Sequence, residues 1–192
     1  MVGGRDRLER SFGEASREPG TDEYLGPPSD AGNMSGRARV NDGKPMKVLF
    51  LDIDGVVNCA TTTQRHRGFI GIDPRLAARV RRVVEATGCK VVLSSTWRED
   101  AENRAEVERK VVEIYDQTPI LDGFRGDEVS AWLAGHPEVT RYAVVDDVAS
   151  WFHLWQPVFN TDPRVGLTEE MAVRLARYLN EADGLPEAGD AS

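Results

Sequence analysis

Asp52-Ile53-Asp54-Gly55 is the stretch whose residue types and spacing point most directly to chemistry. Its two carboxylates follow the apolar run Val48-Leu49-Phe50-Leu51. Carboxylates are costly in a core unless they are paired or bound to a metal, so two of them at the tip of such a run mark a site. Gly55 lets the chain turn sharply and lets a ligand approach the backbone. Two later stretches share the pattern. Lys90-Val91-Val92-Leu93 leads into Ser94-Ser95-Thr96, and Arg141-Tyr142-Ala143-Val144-Val145 leads into Asp146-Asp147. Carboxylate oxygens are hard ligands suited to Mg²⁺. A carboxylate can also be a nucleophile, and a hydroxyl can donate to a phosphate oxygen. Brought to one point, these groups would handle a divalent cation and a phosphoryl group.

Short continuous apolar runs read as buried strands, and ligands of an open parallel sheet bind outside the carboxyl ends of its strands. The segments between the runs read as helices. Asp73 caps the first, Pro74 takes its first position, Leu76, Val80, Val83 and Val84 form its apolar stripe, and Gly88 stops it. Arg75, Arg79, Arg81 and Arg82 read as its solvated face. A second helix is predicted over 99–116, with Val107, Val111, Ile114 and Tyr115 inward. A short strand over 118–121 follows, then a third helix over 127–134 with Val129, Trp132 and Leu133 inward. Trp151, Phe152, Leu154 and Trp155 read as core packing, and 158–160 as a last strand. Thr168 caps a final helix whose first turn carries Glu169 and Glu170, and which turns Met171, Leu175, Tyr178 and Leu179 inward. Alternating strands and helices argue for a three-layer α/β, Rossmann-like fold with a mostly parallel sheet.

Composition bounds the rest. The 192 residues allow one domain plus a tail, and 40% hydrophobic with 29% charged residues is ordinary for a globular protein. A formal charge of −8 argues against broad, non-specific nucleic-acid binding, though not against a local basic groove. Cys59 and Cys89 lack metal-type spacing and fit a reduced compartment, with Cys59 a small apolar filler. His66, His136 and His153 show no zinc spacing. No apolar run is long enough to span a membrane and the first residues are polar and charged, so the expected location is the cytoplasm. Residues 1–44 are rich in Gly, Pro, Ser and charged residues and read as a disordered tail; 45–183 form the domain; 184–192 are a second disordered end.

The order Asp-x-Asp-Gly, Ser after a strand, then Asp-Asp after a later strand resembles the haloacid-dehalogenase (HAD) phosphohydrolase superfamily. More narrowly, Ser94-Ser95-Thr96-Trp97-Arg98, Arg125-Gly126-Asp127-Glu128-Val129 and the stretch from Thr161 to Thr168 resemble HAD domains associated with Swiss-army-knife RNA-repair proteins. The likeness runs from about Met46 to Asn180. Neither interval between the motifs has room for the cap domain that many HAD enzymes carry, so the resemblance implies a capless protein. An open site in turn implies a macromolecular substrate or a partner acting as cap.

The resemblance also implies roles. Asp52 matches the nucleophile and Asp54 the general acid/base, whose backbone carbonyl also meets the metal in the family. Ser94 matches the phosphate-binding hydroxyl, with Ser95 as the alternative. Asp146 and Asp147 match the acidic pair that holds Mg²⁺. The family's usual lysine is missing: only Lys110 lies between Ser94 and Asp146, and Arg125 is the expected substitute. Arg65, Arg67 and Arg98 are candidate contacts to a phosphorylated substrate. The implied activity is Mg²⁺-dependent phosphomonoester hydrolysis through an aspartyl-phosphate, with RNA or DNA 3′-phosphate ends as one substrate class. A nucleotide or sugar-phosphate phosphatase and a phospho-accepting regulatory module are the alternatives. In receiver modules, however, the acidic pair comes early and the phosphorylated Asp later.

Overall fold

The computed structural model describes residues 45–181. The expected disordered ends, and the domain boundary at 183, lie outside the described residues. Strand β1 (Met46–Leu51) runs down the middle of a five-stranded sheet. Its neighbours are β4 (Lys90–Leu93) and β6 (Val139–Asp146), with β5 (Asp116–Gln117) and β7 (Val158–Asn160) at the edges. Every pairing in this sheet is parallel. A two-stranded antiparallel hairpin, β2 (Arg65–His66) with β3 (Phe69–Ile70), stands apart from it.

The apolar runs are continuous because both faces of the sheet are covered. Successive side chains on a strand point to opposite faces. Leu49, Leu51, Val91, Leu93, Ala143 and Val145 therefore share one core with Leu76, Val80 and Val83 of α1 (Pro74–Thr87), Val107 of α2 (Ala101–Lys110), and Leu175 and Leu179 of α4 (Glu169–Asn180). Val48, Phe50, Val92 and Val144 face the other way, onto Val129 and Trp132 of α3 (Arg125–Ala134) and onto Phe152. This is the expected three-layer α/β arrangement, and no cap domain stands among the described residues; the small hairpin occupies the interval after β1.

Local signals explain the helix ends. The Asp73 carboxylate accepts from Arg75 N at 2.9 Å, and Gly88 closes α1 at φ +67° with its N–H on Val84 O. Thr168 caps α4 through Met171 N. Elsewhere the structure corrects the expectation. The helix predicted over 99–116 is only α2, because Asp100 accepts from Glu102 N and Asn103 N and so starts it late, after a 3₁₀ turn at Thr96–Glu99. The strand predicted over 118–121 is β5, earlier in the chain, and Pro119 has no N–H with which to carry the ladder onward. Of the aromatic group only Phe152 is buried; Trp151, Leu154 and Trp155 are exposed. Arg79 and Arg81 are not simply solvated: Arg79 donates to Leu167 O, and Arg81 to Lys110 O and Val111 O at the end of α2.

The register aligns the chemistry. Leu51 pairs with Leu93 on one side and with Val145 on the other. The residues that follow, Asp52, Ser94 and Asp146, consequently emerge at one level. Asp52 N–H bonds to Val145 O and Ser94 N–H to Leu51 O, both at 3.0 Å. The chain leaves β1 toward β4 and β5, then returns to β6 on the opposite side, so β1 and β6 flank the switch point where open α/β sheets bind ligands. No described helix is long and apolar enough to cross a membrane.

Candidate active site

Asp52 sits at the tip of β1, 2% exposed, with its Oδ1 3.0 Å from Arg125 Nη1. The same guanidinium nitrogen donates to Asp146 Oδ2 at 2.6 Å. The nearby Ser95 side chain helps to hold the Asp52 pKa down. Burial pushes the Asp52 carboxyl up to about 7; Arg125 pulls it down and Asp146 pushes it further up. Asp146 and Asp147 are likewise raised, first by burial, and Asp147 then by the Asp146 charge. Asp146 Oδ1 is held by Val148 N–H at 2.8 Å. Burial opposes the Arg125 charge, but Asp52 and Asp146 outweigh it and hold its pKa above the usual arginine value. The guanidinium also lies 4.6 Å over the ring of Trp151.

One oxygen each from Asp52, Asp146 and Asp147 lies within 4.8 Å of the others. Three clustered carboxylates with raised pKa values, two of them buried and Asp147 partly so, describe a site with excess negative charge. Arg125 alone does not balance it. The donor set is all hard oxygen, as Mg²⁺ requires. These three residues therefore fit a divalent cation. Gly55 makes the close approach possible: it takes φ +71°, and a Cβ there would come within 2.6 Å of Asp147 Cγ.

Asp54 stands outside the trio. Its Oδ1 accepts from Asn58 Nδ2 at 2.7 Å and its Oδ2 from Trp97 Nε1 at 2.9 Å. The carboxylate is exposed at the mouth of a cavity of about 780 Å³, of which Asp147 forms another part. The turn after Asp54 is fixed from below. Thr161 Oγ1 donates to Gly55 O at 2.8 Å, and Leu167 N–H to Val56 O at 2.9 Å. Among the residues chosen from the sequence, the fold thus gathers Asp52, Asp54, Ser94, Ser95, Arg125, Asp146 and Asp147 around one strand end. Ser95 Oγ accepts from Trp97 N–H at 3.4 Å, while Ser94 Oγ is buried with no hydrogen-bond partner among the described residues.

The arginines divide differently from expectation. Arg98 points into the protein, its side chain 3% exposed. It donates to Ser94 O, Ser95 O and both Glu128 oxygens. That corrects its reading as a substrate contact: the guanidinium ties the serine turn to α3. Arg65 donates to Thr62 O and Gln64 O and does not line the cavity, which also departs from expectation. Arg67 does line it, paired with Asp100 at 2.9 Å. Lys110 is the last residue of α2 rather than a mid-helix one, and it pairs with Glu106. Sequence reasoning missed Asn58 and Trp97, which hold Asp54, and Trp151, which covers Arg125. The four-residue step from Asp54 to Asn58 was the one available hint.

The chain matches the family model of the HAD domain in Swiss Army Knife RNA repair proteins over residues 48–172. No curated protein matches it. The matched span begins within β1 and ends within α4, so it takes in every strand of the parallel sheet and the whole carboxylate cluster. HAD domains generally use a divalent metal, and the carboxylate trio is where this one would bind. This protein is a member of the HAD domain family of Swiss Army Knife RNA repair proteins, an enzyme of the phosphohydrolase type.

Proposed function

We propose that the domain is a Mg²⁺-dependent phosphomonoester hydrolase that removes phosphate from nucleic-acid ends through an aspartyl-phosphate. The observation that carries this reading is the division of the two motif carboxylates. Asp52 is buried against Arg125 and Asp146, whereas Asp54 waits beside it at the cavity mouth. A nucleophile and an acid/base need those different surroundings.

In the first step Asp52 attacks phosphorus. An Asp52 Oδ–P bond forms, the bond from phosphorus to the leaving oxygen breaks, and Asp54 gives that oxygen its proton. In the second step Asp54 takes a proton from water. The water oxygen bonds to phosphorus, the Asp52–P bond breaks, and inorganic phosphate leaves. Arg125 covers charge on the transferring phosphoryl group, replacing the family lysine, and the serine turn supplies the hydroxyl. Mg²⁺ held by Asp52, Asp146 and Asp147 would supply charge neutralisation, so that an anionic carboxylate can approach an anionic ester.

The nucleic-acid end is favoured by the absence of a cap domain among the described residues and by the RNA-repair proteins in which this family of domains occurs. A free nucleotide is the rival, and the cavity has room for one. Purified protein should hydrolyse a 3′-phosphorylated oligonucleotide in Mg²⁺, stop in EDTA, and lose turnover in Asp52→Asn. Turnover that survives chelation, or an active Asp52→Asn variant, would sink the mechanism.

A further inference from the structure

The cavity beside the carboxylates is far larger than a phosphate group needs, at about 780 Å³. Asp54 and Asp147 form one end of it. If Asp54 protonates the leaving oxygen, the alcohol bonded to that oxygen must lie on the Asp54 side, and so in this cavity. Its other walls carry aromatic rings. Phe69 projects into it from the hairpin, 78% exposed, with Ile70 40% exposed beside it. His66 is the cross-strand partner of Phe69 on the same hairpin, and its ring stacks on Trp97, with centroids 5.6 Å apart and planes at 26°.

These rings are held in place. The Trp97 indole N–H donates to Asp54, and His66 Nε2 hydrogen bonds to Asn103 Oδ1 at 3.0 Å. Arg67, at φ +50°, anchors the hairpin tip to Asp100. Asn103, Asp100 and Arg67 place polar groups on the same lining. Flat apolar faces with polar groups at the edge match a ring that has a π-face and a hydrogen-bonding rim. A polyol lacks the face and an acyl chain lacks the rim.

We propose that this cavity binds the terminal nucleoside of the substrate as the leaving alcohol, its base lying against Phe69 and the His66–Trp97 pair. The assignment of that nucleoside as leaving group rests on the phosphomonoesterase reading. Phe69 becomes the main specificity residue, because it lines the cavity and belongs to neither core cluster.

The test uses the full chain with Mg²⁺ and two substrates, adenosine 3′-monophosphate and glycerol 2-phosphate. Base stacking on an aromatic side chain is worth about 1–3 kcal/mol. Phe69→Ala should therefore lower the nucleotide-to-glycerol ratio of kcat/KM by about 5- to 150-fold, mainly through KM. Phe69→Tyr should restore it. In parallel, adenosine alone is titrated into wild type and Phe69→Ala and followed by protein NMR. Adenosine binding at His66 and Trp97 that weakens in Phe69→Ala would uphold the pocket even if neither ester is hydrolysed, a result that would remove only the hydrolase reading. A ratio unchanged within about twofold, or adenosine that does not perturb these residues, would overturn the proposal.

Discussion

Arg98→Met should destabilise the domain severely. Arg98 and Glu128 are both buried, with side chains 3% and 8% exposed, and the guanidinium meets both carboxylate oxygens at 2.8 Å. Removing one partner strands the other charge, which costs about 3–5 kcal/mol. A folded body of about 140 residues has an unfolding entropy near 0.3 kcal/mol per kelvin, so the melting temperature should fall by about 10–17 °C. Glu128 Oε1 also accepts from Leu121 N–H at 3.2 Å, so the compensating change must keep an acceptor. Arg98→Met with Glu128→Gln removes the stranded charge and keeps that acceptor, and should recover at least half the loss. Thermal unfolding followed by circular dichroism reads all three proteins. If Arg98 were a substrate contact, the single variant would melt within about 2 °C of wild type and lose only activity; that outcome would refute the buried-pair argument.

Arg125→Ala should lower kcat by about ten- to a thousand-fold, the scale for losing one electrostatic stabiliser, and Arg125→Lys should recover part of it. Lys110→Ala should change kcat little, since Lys110 pairs with Glu106 at the end of α2; equal effects at the two positions would reject Arg125 as the substitute. Gly55→Ala should weaken Mg²⁺ binding, measured by calorimetry, because a Cβ there displaces the Asp147 carboxylate; unchanged affinity would show that Asp147 is not a ligand. The pH dependence follows from Asp52, whose carboxyl burial holds up at about 7 against an ordinary 3.8. Between those values the metal-free native state keeps a proton that the unfolded chain has released, so this contribution is complete below pH 4 and is lost as pH rises through 7. In EDTA the melting temperature should fall over that window more than it does in Mg²⁺, and Asp52→Asn should reduce the difference in slope, the remainder coming from Asp146 and Asp147.

The sheet was legible because its evidence is local. The runs Val48–Leu51 and Val91–Leu93 are apolar without alternation, which only a strand covered on both faces requires, and each ends at a polar residue. The caps at Asp73 and Thr168 were equally local, since an N-cap is decided within three residues. The misread elements are those where distant contacts compete with local pattern. Val111 and Ile114 continue an apolar stripe, and both are buried, yet the chain there has already left the helix to reach β5. Trp151 and Trp155 are aromatic enough for a core, but α3 and Phe152 already cover that face of the sheet.

The same division holds at the site. The sequence by itself determined that Asp52, Ser94 and Asp146 share one end of the sheet, because each lies at the end of a strand and parallel strands end together. Only the tertiary structure decided which arginine joins the carboxylates. Arg65, Arg67, Arg98 and Arg125 are alike as letters, and each could reach a phosphate from a loop or a helix start. Arg125 starts α3 beside the ends of β1 and β6 and meets two carboxylates, whereas Arg98 turns inward to a glutamate thirty residues along the chain. A long cationic side chain goes to the nearest uncompensated buried charge, and where that charge lies depends on how the layers pack.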